Sequence, residues 1–184
     1  YGTYSVASTA PFKRIPYLES MEVYGSDKPD LRIDLKCQDV TALLGDCGFG
    51  TFEGQNIKAV PVTDFTATRK QIDKLCADAE VISGNKAYWF KMDEKGELAG
   101  GIAKFLQGKK EEIIAALGLK PNTFVALSSG KKGAAQKTAG ALRKLLGELC
   151  PNHMDKERYE FCWIVDFPMY EIGEESGELE FCHN

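Results

Sequence analysis

Histidine is nearly missing: 184 residues contain two, His153 and His183. The six cysteines, at 37, 47, 76, 150, 162 and 182, include no C-x-x-C pair, so the recurring zinc spacings are absent. Cys150 stands three residues from His153 and Cys182 adjoins His183; these offer a zinc site only if the fold assembles one, and reduced, half-buried thiols are the plainer reading. There is no G-x-S-x-G, no H-E-x-x-H, no G-x-G-x-x-G at a strand-to-helix turn and no complete P-loop, which removes the generic hydrolase, zincin and dinucleotide signatures. No apolar run approaches the roughly 18 to 20 residues that span a bilayer, and Tyr1 to Ala10 lacks the basic and apolar regions of a signal peptide. Neither charge sign dominates: a net charge of -4 argues against binding nucleic acid by bulk attraction, so DNA is not expected and any RNA contact must be local. Low-complexity segments and internal repeats are missing too.

What remains is a globular composition, with 43% hydrophobic and 27% charged residues, enough to bury a core without a disulfide or metal staple. A cytoplasmic chain is the expectation. The start on Tyr1 and the stop at Asn184, directly after an alternating run, read as an excised segment of a longer protein.

Punctuation and periodicity place the elements. Pro16 opens a short helix to about Tyr24, and the Gly25 to Asp30 cluster is a turn. Leu31 to Val40 alternates apolar and polar residues, the period of a half-buried strand, with Asp39 or Thr41 capping a short helix after it. Glycines at 45, 48, 50 and 54 place a boundary near Asp46. Beyond it, strands are expected at Ile57 to Val62, Lys86 to Met92, a short segment to Ile102, and Thr123 to Leu127. Helices are expected from Thr68, from Lys109 to Leu117, and from Gly133 to Leu149. Phe161 to Phe167 is a nearly continuous apolar run, expected as a strand covered on both faces. A second strand, Glu178 to Cys182, would complete an antiparallel tail of a larger sheet. The fold class is α+β, helices packed on an antiparallel sheet.

Chemistry-bearing candidates are few. Ser128 to Gly133 resembles half a phosphate cradle without its upstream glycine or following hydroxyl. Lys131, Lys132, Lys137, Arg143 and Lys144 are candidates for phosphate contacts with RNA, and a solvated helix face accounts for the same pattern. Trp89 and Phe90 can stack on an unpaired base or fill a core. Asp166, a carboxylate in an apolar run, demands a basic partner.

Three strings carry a resemblance: Phe12 to Tyr17 leading into Tyr24-Gly25-Ser26-Asp27-Lys28-Pro29-Asp30-Leu31-Arg32, then Cys162 to Glu171, then Cys182-His183-Asn184. In order and spacing they resemble bacterial-type aspartyl-tRNA synthetase, a class II family. Tyr88 to Lys91, Gly101 to Leu106 and Gly140 to Arg143 resemble the GAD domain inserted in that family's catalytic domain. The resemblance implies three parts: residues 1–45 as a catalytic segment after motif 2, 46–150 as the GAD insertion, and 151–184 as catalytic strands of an antiparallel sheet. It implies ATP-dependent activation of aspartate, with Mg²⁺, followed by transfer to the 3′ end of tRNA by a homodimeric parent. Motifs 2 and 3 fall outside the chain, so no complete catalytic set is expected in it, and the segment by itself is expected to be inert. His183 carries over as an aspartate contact, although the family's second histidine is Asn184 here. Asp27, Lys28, Asp30, Arg32 and Asp166 carry over as structural residues near the site. The alternative is a non-catalytic GAD-type tRNA-binding or spacer module, as in a tRNA-dependent amidotransferase subunit.

Overall fold

A computed structural model describes residues 5–173 and 177–181. In chain order it contains β1 (Ser5–Val6), β2 (Lys13–Pro16), α1 (Tyr17–Tyr24), β3 (Gln38–Asp39), α2 (Thr41–Leu44), β4 (Asn56–Val62), α3 (Arg69–Ser83), β5 (Ala87–Met92) and β6 (Leu98–Ala99). There follow α4 (Lys110–Leu117), β7 (Thr123–Gly130), α5 (Lys132–Leu149), β8 (Arg158–Tyr159), β9 (Cys162–Val165), β10 (Tyr170–Ile172) and β11 (Leu179–Phe181), with short 3-10 turns between some of them.

The centre is a five-stranded sheet in the order β3-β4-β7-β5-β6, antiparallel at every pairing. Side-chain alternation splits it into two apolar layers. Ile57, Ala59, Phe90, Met92, Val125 and Leu127 face a core closed by α2, α4 and the turns between them. Val60, Val62, Trp89, Phe124 and Ala126 face the other core, closed by α3 and α5. Trp89 and Phe90 are both buried, on opposite faces. Helix α3 begins at a reciprocal capping box, Thr68 with Gln71, which satisfies two otherwise orphaned backbone donors. The stripe Ala135, Ala139, Leu142 and Leu146 seats α5 on the sheet.

Two expectations change. Leu31 to Val40 keeps its alternating burial, but only Gln38–Asp39 joins a ladder, with one isolated bridge from Ile33 to Met154; most of the segment's backbone bonds go elsewhere, as described below. The two cores also hold Ile33, Leu35, Cys37, Val40 and Leu44, which precede residue 46. Finally, β9 is not covered on both faces among the described residues: Trp163 is 59% exposed and Phe161 49%. β9 pairs in parallel with β2, and β1 with β8 also in parallel, whereas β10 pairs with β11 antiparallel. An apolar run signals that burial is required, not which chain segment supplies it.

Candidate functional site

Of the residues that the resemblance carries over as structural neighbours of the site, Asp27, Lys28, Asp30 and Arg32 sit on the turn that follows α1. Gly25 ends the helix in a left-handed conformation, φ 66°, donating its N–H to the Met21 carbonyl at 3.1 Å. Ser20 donates to the Ser26 carbonyl at 2.6 Å, and the Ser26 hydroxyl accepts from the Lys28 N–H at 3.0 Å. Asp30 receives Arg32 three times, from its backbone N–H at 3.1 Å, Nε at 2.9 Å and Nη2 at 2.7 Å. That hydrogen bonding holds the Asp30 carboxyl below the usual range against the opposing effect of burial. Asp27 and Lys28 pair with each other at the exposed tip. The geometry of Asp30 and Arg32 is that of a braced loop, with Asp27 and Lys28 left facing a cleft.

Helix α5 holds this turn from below. Gly25 and Gly140 pass so closely that a β-carbon on Gly140 would stand 2.2 Å from the Gly25 carbonyl oxygen. Arg143, only 2% exposed, stacks its guanidinium 4.9 Å from the Tyr24 ring centre. Its Nε donates to the Leu35 carbonyl at 2.6 Å, and its Nη2 to the carbonyls of Ile33 at 2.6 Å and Asp30 at 2.9 Å. Burial lowers the Arg143 pKa, opposed by Cys37, Tyr24, Asp30 and Asp34. These bonds replace the ladder expected for Leu31 to Val40 and remove Arg143 from the residues available to an RNA phosphate.

Beside it lies a network that sequence reasoning missed. Lys58, 1% exposed in the middle of β4, pairs with Glu22 of α1 and, at 3.0 Å, with Asp39 of β3. Gln136 of α5 donates to the second Glu22 oxygen at 2.8 Å. Burial raises the pKa of both carboxyls, yet the bonds from Lys58 and Gln136 to Glu22, and from Thr41 and Lys58 to Asp39, leave both below their ordinary values. The signal was present: a lysine inside the apolar run Ile57 to Val62 must find an anion.

Two clefts open along α5. One of about 850 Å³ lies between α1, the first turns of α5 and the β10–β11 ribbon, with Lys132, Lys137, Glu22, Glu171 and Glu180 among its walls. The other, about 820 Å³, continues past Lys137 and Lys144 to Asp27 and Lys28. Lys131, Lys132, Lys137 and Lys144 are all exposed, whereas Ser128 is buried and donates to the Ala135 carbonyl at 2.8 Å rather than toward a cradle. Asp166 lies outside the strand, exposed, at φ 58°. His183, with Cys182 and Asn184, lies outside the described residues. The His153 ring, next to Cys150, instead bridges Asp34 at 2.8 Å and the Thr63 carbonyl at 3.2 Å. Burial pushes the Cys37 thiol up to about 12 and Cys76 to about 11, which keeps them protonated and unreactive.

The similarity to known proteins extends along almost the whole chain. The aspartate–tRNA ligase of Streptomyces avermitilis is 41% identical over 179 residues, covering 96% of this chain and 30% of its own length. That of Streptomyces coelicolor is 39% identical over 178 residues, again 96% and 30%. The aspartate–tRNA(Asp/Asn) ligase of Rickettsia prowazekii is 39% identical over 189 residues, 99% of this chain and 31% of its own. The chain thus spans about a third of the length of these relatives. The model for class II tRNA synthetases (D, K and N) matches residues 3–182. With both flanks and the central sheet inside that match, the chain belongs to the class II tRNA synthetase family.

Proposed function

We propose that the chain is part of an aspartate–tRNA ligase. One observation carries the reading: relatives named as such align at 39–41% identity through the turn, the central sheet and the tail without leaving out any of the three. An amidotransferase or free-standing RNA module would have no need of the α1 turn or of β9, so the binding-module alternative finds no support in that alignment. In the proposed reaction an aspartate carboxylate oxygen attacks the α-phosphorus of ATP, pyrophosphate leaves, and a hydroxyl of the tRNA 3′ adenosine then displaces AMP from the adenylate. Enzymes of this kind work mainly by holding reactants in line and neutralising charge, and Mg²⁺ would supply part of that neutralisation. Among the described residues no group of three or more His, Cys, Asp or Glu side chains gathers, and Mg²⁺ beside a nucleotide would be held mainly by the phosphates with one or two carboxylates.

In this reading residues 1–45 and 151–184 belong to the catalytic domain, and residues 46–150, which carry β4 to β7 of the central sheet, form the inserted GAD domain. The exposed Lys131, Lys132, Lys137 and Lys144 are proposed contacts for tRNA phosphates, His183 for the aspartate carboxylate, and the working protein is a cytoplasmic homodimer. Relatives named for one tRNA and for two match the chain at the same 39% identity, so the proposal covers both. The test is aspartate-dependent ATP–pyrophosphate exchange and tRNA charging by the full-length protein. Both are expected there, and neither in the 184-residue chain; exchange that responds to another amino acid and not to aspartate overturns the reading.

A further inference from the structure

We propose that Arg143 is a positioning residue: seated in α5, it sets the shape of residues 27–35, so that the turn bearing Asp27 and Lys28 holds its form only while α5 is docked against it. Two neighbouring stripes of α5 have different tasks. Ala135, Ala139, Leu142 and Leu146 meet the sheet. One residue further on, Gln136, Gly140, Arg143 and Gly147 follow the same helical spacing and meet α1, its turn and the segment that follows it, at Glu22, Gly25, Asp30, Ile33 and Leu35. At Gly140 the two backbones touch, and at Gly147 a β-carbon would stand 2.8 Å from the Ile33 side chain. The stripe therefore alternates a donor with a glycine that admits the facing chain.

The facing chain needs such a partner. Among the described residues Ile33 makes a single isolated bridge, and the amides of Asp34 and Cys37 donate at 3.1 Å and 2.8 Å to His153 and Val23 rather than to a strand. The carbonyls of Asp30, Ile33 and Leu35 converge instead on one guanidinium. A planar fork with five donors can serve three carbonyls while its centre stands 4.9 Å over the Tyr24 ring; an ammonium, a single point with tetrahedral donors, cannot do both.

Hydrogen–deuterium exchange on the 184-residue chain tests the clamp. Arg143→Gln is expected to speed exchange across residues 30–37 by about tenfold or more while β4 and β7 change by less than about twofold. Arg143→Lys, which keeps the charge and loses the fork, is expected to show most of the same loss. Restored protection in Arg143→Lys, an equal increase in the central strands, or no change at all overturns the proposal. If Arg143→Gln does not fold, Arg143→Lys decides by the same comparison, and failure of both to fold overturns the local role.

The consequence for catalysis rests on the ligase reading. In the full-length protein Arg143→Gln is then expected to lower the kcat of aspartate-dependent pyrophosphate exchange about tenfold with the KM for tRNA changed less than about twofold. An unaltered kcat overturns positioning. Absence of exchange in the unsubstituted full-length protein overturns the ligase reading instead, and the deuterium result still judges the clamp.

Discussion

Lys58 carries its charge into the sheet and finds Glu22 and Asp39 at its end, both of them partly exposed. Removing the ammonium leaves two carboxylates that water can still reach, so the loss is smaller than for a sealed pair. Lys58→Ala is expected to destabilise the chain by about 2–4 kcal/mol, chiefly through the lost stem packing and the broken pair, and Lys58→Met by about 1 kcal/mol, since the stem is kept; chemical denaturation measures both. The pH dependence follows from the same residues. Folding depresses the Glu22, Asp39 and Asp30 carboxyls below their ordinary values of 4.5, 3.8 and 3.8. Around and below those values the unfolded chain binds more protons, so the stabilisation is complete above them and drains away as pH falls through them toward the folded pKa values. These groups therefore add no slope to Tm above about pH 6 and a falling Tm below about 4.5. Lys58→Met should flatten that acid limb, and a limb of unchanged steepness would show that the network does not set it.

Helix α5 packs against α1, α3, β4 and β7, and its glycines are not equivalent. Gly140→Ala drives a methyl into the Gly25 backbone, which cannot swing aside as a side chain can. A loss of about 2–3 kcal/mol is expected. Gly133, in the first turn of the same helix, has nothing within 4 Å of its β-position, so Gly133→Ala should gain about 0.5–1 kcal/mol from the better helix former. Thermal melts of the two variants read opposite signs; equal effects would mean that helix propensity rather than the close approach governs the site. At the start of α3, Thr68→Ala removes the capping box and should cost about 1 kcal/mol, visible as a lower Tm. The cap, the α5 stripe and the sheet strands were all legible as short-range patterns, because each depends on residues within a few positions of one another. The Leu31 to Val40 segment was not: its alternation was real, but its hydrogen-bond partner was a side chain more than 100 positions away.

At the scale of the molecule, one end is closed and the other is open. The central sheet is covered on both faces, while the ribbons at β9 and β10–β11 leave Trp163, Ile172, Leu179 and Phe181 more than half exposed. Apolar surface of that kind marks a face that some other segment is built to cover. The two tryptophans report on it separately, since Trp89 is 8% exposed and Trp163 59%. Iodide should quench the Trp163 emission and spare that of Trp89 in the isolated 184-residue chain, and Trp163→Phe should abolish most of the quenching. In the full-length protein the accessible fraction should fall, as the ribbon acquires neighbours; equal quenching in both would mean that the face stays open.

By itself the sequence determined the composition of the layers, the helix starts and stops, the alternation that splits the central sheet into two cores, and the strings shared with class II synthetases. All of these are written in local order, where propensity, capping and periodicity act. Tertiary structure decided what long-range partners alone can decide. It turned Arg143 from an apparent RNA contact into a buried fork on three carbonyls, gave Lys58 its two anions, paired β2 with β9 in parallel and brought Gly25 onto Gly140. A charge pattern tells which residues need partners, but only the folded chain brings those partners within hydrogen-bond reach, and a buried cation and an exposed one look alike until it does.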